Sequence, residues 1–452
     1  MNQSLRAVID TFEKHDYLHT VEIEVDPVFE LGAVLFHRGH DKAQLFKNVK
    51  GYDIPVLGNL YNDYKKIALG LGVAPEDLQK TCLEAIEKGI TPERVAAGPV
   101  QDVVLENGPD IKKLLPVPVW FEREQGPYIS AGVIVARDPE TGKRNISIAR
   151  LRVEGGNMLL AGIAPTHHLH ALLKKAEALG KPLEIAVVIG NHTAVLLASQ
   201  FYVDLGHDEY EIAGRLLGEP LKLVKCRSID LEVPAEAEIV LEGVLHSEDM
   251  VEEGAVSEFH GFYEYYGPCN RVSIKTVTHR QKPIYQAILP GYAPEHLLIG
   301  GAAIGATTCH ALKKKIPNVT SVLITEGGMG RVHAIISMHR PKAGEGKRAI
   351  MLAMGHTNLL KLVIVVDDDI DPHDWTQVEW SLAARMRGDE DIFIIPGVKA
   401  DRCDPLEKDL MIAKVGIVAT RRPGDSLTPD KYIPAQAPEE ILAKVKEQLD
   451  KY

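Results

Sequence analysis

The chain is poor in the features that mark several protein classes. Its five cysteines (Cys82, Cys226, Cys269, Cys309 and Cys403) are scattered over 452 residues and form no CxxC pair. That argues against a disulfide-stapled scaffold or a cysteine metal site, and for reduced thiols in a cytoplasmic protein. No apolar run reaches membrane-spanning length. The opening stretch MNQSLRAVIDTFEKHDYL reads as an amphipathic helix rather than a signal peptide. A cationic surplus is missing too: 51 Lys and Arg against 63 Asp and Glu give a net charge of −12, which disfavours nucleic acid as a partner. Walker A, HExxH and GxSxG sequences are absent, as are internal repeats. What is present is 45% hydrophobic and 25% charged residues, the composition of a globular protein with two or three domains.

Periodicity gives three textures. Up to about residue 114, helix and strand signals alternate. Leu5, Val8, Ile9 and Phe12 share a helical face, HTVEIEV alternates like a strand, and PEDLQKTCLEAIEKGI is a proline-started helix. From 115 to 294 the chain is β-rich, with NISIARLRV read as one strand and DPETGK as a hairpin turn. Helices are inserted there: PTHHLHALLKKAEALG, with Thr166 as N-cap and Gly180 closing it, then HTAVLLASQ and DEYEIAGRLLG. A long helix covers 295–320, and 321–452 alternates strands and helices as an α/β layer. The tail PEEILAKVKEQLDKY is an amphipathic helix suited to an oligomer contact. GGMGRV at 327–332 lacks the third glycine of a dinucleotide fingerprint, and DDDID at 367–371 reads as a solvated strand end.

Asn145, His167 and Glu209 in the middle region read either as a divalent-cation set or, more plainly, as a turn residue, a helix-end histidine of HHLH and a paired acid. Glu209 lies on the stripe of Ile212, Ala213 and Leu216, where a carboxylate is costly unless paired or bound to metal. An amide oxygen, an imidazole and a carboxylate suit Mg²⁺ or Mn²⁺ better than structural zinc. Arg150 shares a strand face with Ile146 and Ile148 and wants a carboxylate. Ideal alternation places Asn145 on the other face, so one shared site needs a bulge or twist. EEGAVSEFHGF at 252–262 carries Glu253 and Glu258 among Ala255, Val256 and Phe259. It is either a solvated loop brushing the core or a catalytic acid pair.

These stretches, with LKLVKCRSIDLEVPAEAEIVLEG, APEHLLIGG, KLVIVVDDDIDP and CDPLEKDLMIAKVGIVATRRPG, occur in an order that resembles the UbiD family of reversible decarboxylases. The resemblance covers nearly the whole chain. It implies an α+β and α/β fold: an N-terminal α/β part, a central split β-barrel of flavin-reductase type, a linker helix and a C-terminal α/β oligomerisation domain. It implies prenylated flavin mononucleotide as cofactor, supplied by a flavin prenyltransferase, with Mn²⁺ (or Mg²⁺) held by Asn145, His167 and Glu209. K⁺ would lie at the Ala198–Ser199 carbonyls. Ile148, Ala149, Arg150, Thr166, Ser199 and Lys361 would also line the cofactor. The catalytic Glu–Arg–Glu network falls on Glu253, Arg150 and Glu258. His296, Leu298 and Ile299 would line the substrate pocket. The implied reaction is non-oxidative loss of CO₂ from an aromatic, heteroaromatic or α,β-unsaturated acid, in a homodimer or hexamer. A flavin oxidoreductase and a non-catalytic cofactor-binding homologue are the alternatives on the same fold.

Overall fold

The computed structural model describes residues 2–422 and 435–452. Its largest sheet contains β1 (Val103–Leu105), β2 (Tyr128–Ile129), β3 (Val133–Arg137), β4 (Arg144–Ile148), β5 (Arg150–Gly155), β6 (Met158–Gly162), β7 (Leu183–Ile189) and β8 (Ile239–Glu252). A small hairpin of β9 (Ala255–Ser257) and β10 (Tyr263–Tyr265) follows, and β11 (Pro268–His279) completes the sheet. The order is β2-β5-β6-β11-β8-β7-β3-β4, with β1 on β11, and every pairing is antiparallel. The sheet stays open between β2 and β4.

NISIARLRV is therefore two strands, not one. The chain leaves β4 at one edge and enters β5 beside the opposite edge, and Ala149 alone crosses the seam. The crossing resets the alternation, so Asn145 and Arg150 need not obey the parity of a single strand.

Both faces of the sheet are covered, which is why LEIAVVI reads as a continuous apolar run. Ala186 and Val188 pack with Val133, Val135 and Ile146 against N-terminal residues such as Phe12, Ile67 and Ile86. Ile185, Val187 and Ile189 face the interior with Ile134, Leu151, Leu159 and Leu241. Helix α1 (His168–Ala178) adds Leu169, Leu172, Leu173 and Ala176 to that interior. Its N-cap is His167, not Thr166, which is exposed; Gly180 follows in the left-handed conformation with φ 64°. Helices α2 (Thr193–Ala198) and α3 (Glu209–Leu217) lie on the other face, and α3 starts with Asp208 as N-cap and ends at left-handed Gly218.

Of HTVEIEV only the first three residues belong to a strand, Leu18–Val21, and Glu22, Ile23 and Glu24 after it are exposed. That strand joins Ala43–Phe46, Val56–Gly58 and Tyr285–Gln286 in a four-stranded sheet. Helix α4 (Pro294–Lys313) links to the C-terminal unit. It is apolar nearly all round because it is buried nearly all round. Glu295 anchors its start by accepting from the Asn59 and Tyr61 N–H groups at 2.7 and 3.1 Å. Gly305 lets it lie against the Val319–Ile324 strand, where a Cβ would meet the Val322 oxygen at 2.7 Å. Among the described residues no helix is long and apolar enough to cross a membrane.

The C-terminal sheet has the order Val319–Ile324, His333–Met338, Leu362–Asp367, Met411–Ala419, Ile392–Lys399, parallel in its middle and antiparallel at both edges. DDDID is not simply a solvated strand end. Asp367 is buried and bonds Arg385 Nη1 at 2.8 Å, and Asp369 takes the same guanidinium at 2.8 and 2.7 Å. Arg385→Ala would break the buried pair with Asp367 and leave it only the Arg421 N–H and charge. The expected loss is about 3–5 kcal/mol, the range for breaking a buried pair, read as a lower unfolding midpoint. An unchanged midpoint would show that the pair contributes nothing. Helix Glu439–Glu447 of the tail buries no residue.

Candidate active site

The seam carries chemistry on both lips. On the β4 side, Asn145 Nδ2 donates to Glu209 Oε1 at 2.8 Å and the Ile146 N–H donates to Glu209 Oε2 at 2.9 Å. Glu209 is 2% exposed, and burial pushes its carboxyl up to about 8 against these hydrogen bonds. Asn145 Oδ1 is buried there without a partner, and His167 Nδ1, on the residue that caps α1, is likewise buried and unpartnered. Burial lowers the His167 pKa, with the His168 charge adding to the shift and Asp401 opposing it. Among the described residues no three His, Cys, Asp or Glu side chains cluster as a metal site by themselves. Here the third donor is an amide. A cation would use Asn145 Oδ1 and restore the Glu209 charge, so the amide and the carboxylate fit one. The ring in contact with the Asn145 amide is that of His168, whose Nδ1 lies 3.4 Å from Asn145 Nδ2, while His167 has Arg150, Asp401 and Arg402 within electrostatic reach.

On the β5 side, Arg150 donates through Nε and Nη2 to Glu253 at 2.8 and 2.7 Å, a bidentate pair. The guanidinium lies across Gly162 of β6, where a Cβ would sit 2.6 Å from Nε. Glu253 is fully buried. Burial pushes its carboxyl up, but the Arg150 bonds and charge outweigh this and hold it below the ordinary value. Cys269 Sγ donates to Glu253 Oε2 at 3.0 Å, and Arg152 bonds its backbone oxygen. Glu258 Oε1 stands 3.7 Å from Arg150 Nη1. Tyr266 lies between two guanidinia, with Arg150 Cζ 5.1 Å and Arg402 Cζ 4.2 Å from its ring centroid. The C-terminal unit thus supplies part of the wall.

EEGAVSEFHGF is a hairpin rather than a plain loop. Ala255 and Val256 are buried in β9, Phe259 packs on Leu297 and Val332, and Gly254 and Gly261 take φ of 82° and 84° at its two bends. Glu124 holds β9 from behind, accepting from the Ser257 N–H at 3.3 Å and hydroxyl at 3.0 Å. Burial pushes the Glu124 carboxyl up to about 7 from an ordinary 4.5, opposed by the Ser257 bonds. The folded chain therefore keeps a proton that the unfolded chain releases. Stability contributed at this position is lost as pH rises from about 4.5 to about 7. Glu124→Gln, which keeps an acceptor for Ser257, should gain in melting temperature over the wild-type protein across that interval and hold the gain above it. Melts at pH 5 and pH 8 that show a constant difference would contradict this.

The remaining predicted residues are placed as follows. Ile148 ends β4 and Ala149 is buried at the seam. The Ser199 hydroxyl donates to the Leu196 oxygen at 2.7 Å, beside α3. Lys361 Nζ is engaged with Asp404 at 3.2 and 2.9 Å. His296 does not face solvent freely: its Nδ1 meets the Gly291 oxygen at 2.9 Å, and burial, then the Arg331 charge, bring its pKa down to about 4. Leu298 and Ile299 lie in the core shared with the N-terminal part, whereas Leu297 touches the acid hairpin through Phe259. Sequence reasoning missed Arg152, Cys269, Tyr266 and Arg402. A signal existed only for Arg152, which follows Arg150 by two residues on one strand face.

An arginine clamped by one buried carboxylate and approached by a second can receive the carboxylate of a small acid. Family models for the three domains of 3-octaprenyl-4-hydroxybenzoate carboxy-lyase match residues 9–86 (N-terminal), 93–293 (Rift-related) and 297–419 (C-terminal). An anhydromevalonate phosphate decarboxylase of Methanothermobacter thermautotrophicus is 38% identical over 402 residues, 88% of this chain and 93% of the relative. The UbiD-class enzyme HmfF from Pelotomaculum thermopropionicum in complex with FMN superimposes with TM-score 0.92 at 38% identity, covering 99% of this chain and 98% of that one. An evolved dimeric form of HmfF with prFMN gives 0.89 at 37% identity, covering 100% and 98%. The protein is a decarboxylase. It belongs to the UbiD family of carboxy-lyases, and the fold expected from the resemblance is the one observed.

Proposed function

We propose that this chain is a prenylated-FMN-dependent carboxy-lyase that removes CO₂ reversibly from an aromatic, heteroaromatic or α,β-unsaturated acid. The observation that carries this reading is the Glu253–Arg150–Glu258 cluster at the seam. A guanidinium has five N–H donors, and Glu253 takes two, which leaves three for a substrate carboxylate. Glu253 fixes the orientation of that fork and keeps it charged. Glu258 delivers a proton from its carboxyl to the carbon vacated by CO₂, and the Arg150 cation holds the carboxylate left behind. When bound, prenylated flavin supplies the electron sink that loss of CO₂ from an sp² carbon requires.

Asn145 Oδ1, His167 and Glu209 would hold Mn²⁺ (or Mg²⁺) against the cofactor phosphate, with K⁺ on the Ala198 and Ser199 carbonyls. Ile148, Ala149 and Thr166 would line the cofactor. Lys361, held by Asp404, would have to release it to contact the phosphate. A flavin prenyltransferase would supply the cofactor, and the exposed tail helix would serve a dimer or hexamer.

The test is to produce the chain together with a flavin prenyltransferase, record the absorbance and mass of the bound flavin, and follow CO₂ release from a panel of acids. Prenylated flavin with CO₂ release is expected. Ordinary FMN, with no acid in the panel decarboxylated, would overturn the reading.

A further inference from the structure

The space beside Arg150 holds more hydrogen-bond donors than acceptors. Each oxygen of Glu253 already takes two donors. Its Oε1 accepts from Arg150 Nε at 2.8 Å and the Tyr128 hydroxyl at 3.5 Å, and its Oε2 accepts from Arg150 Nη2 at 2.7 Å and Cys269 Sγ at 3.0 Å. A carboxylate offers about four lone-pair sites, so Glu253 has none to spare. Glu258 must carry a proton before it can deliver one, which turns one of its oxygens into a donor as well.

Tyr266 adds a further donor. Its backbone is fixed across from Glu253, whose N–H donates to the Gly267 oxygen at 3.4 Å. Its ring lies between two guanidinia, with Arg150 Cζ at 5.1 Å and Arg402 Cζ at 4.2 Å from the centroid. Its hydroxyl is closed off from solvent and has no partner. Burial raises the phenol above its ordinary value, Glu258 adds to that and Arg150 opposes it, so the group stays O–H. Glu258 is near enough to act on it, yet no hydrogen bond of acceptable geometry joins the two. Guanidinia only donate, so neither neighbour of the ring can accept from the hydroxyl. Among the described residues Arg402 makes no hydrogen bond and no ion pair. A buried hydroxyl left unmet is costly. This one stands against the arginine whose free N–H groups receive the acid.

We infer that Tyr266 is a substrate-contacting residue: its hydroxyl donates to the carboxylate of the bound acid, the group that Arg150 also takes, while Arg402 of the C-terminal unit backs its ring. A carboxylate is the acceptor-rich partner that this surplus of donors lacks. The contact is made to the bound acid and fades as the departing CO₂ loses its charge. It therefore serves binding rather than the chemical step. This rests on the decarboxylase reading above and adds a residue outside the Glu–Arg–Glu set.

Tyr266→Phe removes the oxygen and keeps the stacked ring. Wild-type and variant protein loaded with prenylated flavin are compared on a panel containing benzoate, cinnamate and 2-furoate. The acid that wild-type protein turns over fastest is then titrated calorimetrically into protein loaded with ordinary FMN, so that it binds without being consumed. The variant should bind it roughly 10–100-fold more weakly, the scale of one hydrogen bond to a charged group. KM should rise with it, and kcat should stay within about threefold. Without ligand the variant should melt at or above the wild-type midpoint, because the oxygen it loses had no partner. A hydroxyl that served only the fold would lower that midpoint instead. Unchanged acid affinity in Tyr266→Phe would overturn the inference. So would a lowered midpoint of the ligand-free variant, which would give the hydroxyl a partner within the protein. A shifted pH profile of kcat at unchanged affinity would do the same, because Tyr266 would then act through Glu258, and so would loss of the flavin, which would place the hydroxyl on the cofactor. If wild-type protein releases CO₂ from no acid of the panel, the decarboxylase reading fails and this inference with it. If wild-type protein is active and Tyr266→Phe equals it in affinity, only this inference fails.

Discussion

Glu258→Gln is expected to keep the fold and the bound flavin and to lose decarboxylation by at least ~100-fold, the usual scale for general acid catalysis. The amide fills the same space and retains an oxygen toward Arg150 Nη1, now 3.7 Å from the carboxylate. What it lacks is the transferable proton. Decarboxylation in D₂O reads this directly, because deuterium appears at the vacated carbon only when a proton is delivered there. A variant that labels that carbon at the wild-type rate would show that the proton comes from elsewhere. Glu253→Gln should behave differently. It weakens a bidentate pair and frees Cys269 and Arg150, so part of its effect should appear in KM rather than in kcat alone.

The second large effect is loss of the flavin. Glu209→Ala removes the acceptor for both the Asn145 amide and the Ile146 N–H. It also removes the only carboxylate of the donor set. Divalent metal and flavin content, by elemental analysis and absorbance, should each fall by at least ~10-fold, since ligand and supporting hydrogen bonds disappear together. Full flavin occupancy in this variant would detach Glu209 from cofactor retention.

Part of this was legible in the residues. Glu209 on an apolar helical stripe announced a buried carboxylate, and Ala255, Val256 and Phe259 announced that the acid segment is packed. The break at Ala149 was not legible. It contains no glycine or proline, and both flanking strands carry good β-formers, so periodicity joins them. What separates them is tertiary: β3 claims one half and β6 the other. The exposed Thr166 and the N-cap at His167 show a similar limit, because a threonine before a helix is a local signal and the imidazole is placed by its surroundings.

The single-residue crossing at Ala149 works as a ruler. Five residue steps separate Asn145 from Arg150, and an extended chain covers at most ~3.3–3.6 Å per step, so their Cα atoms can never be more than about 18 Å apart. Whatever the C-terminal unit does, the residues proposed for the phosphate end and the reactive end of the cofactor would be tied to one short tether. One residue inserted between Ala149 and Arg150 would lengthen that tether by a step of about 3.3–3.6 Å and let the two lips of the seam part by as much. Length variation in relatives should therefore fall outside residues 145–152, in turns such as the one at 138–142 that closes β3 onto β4.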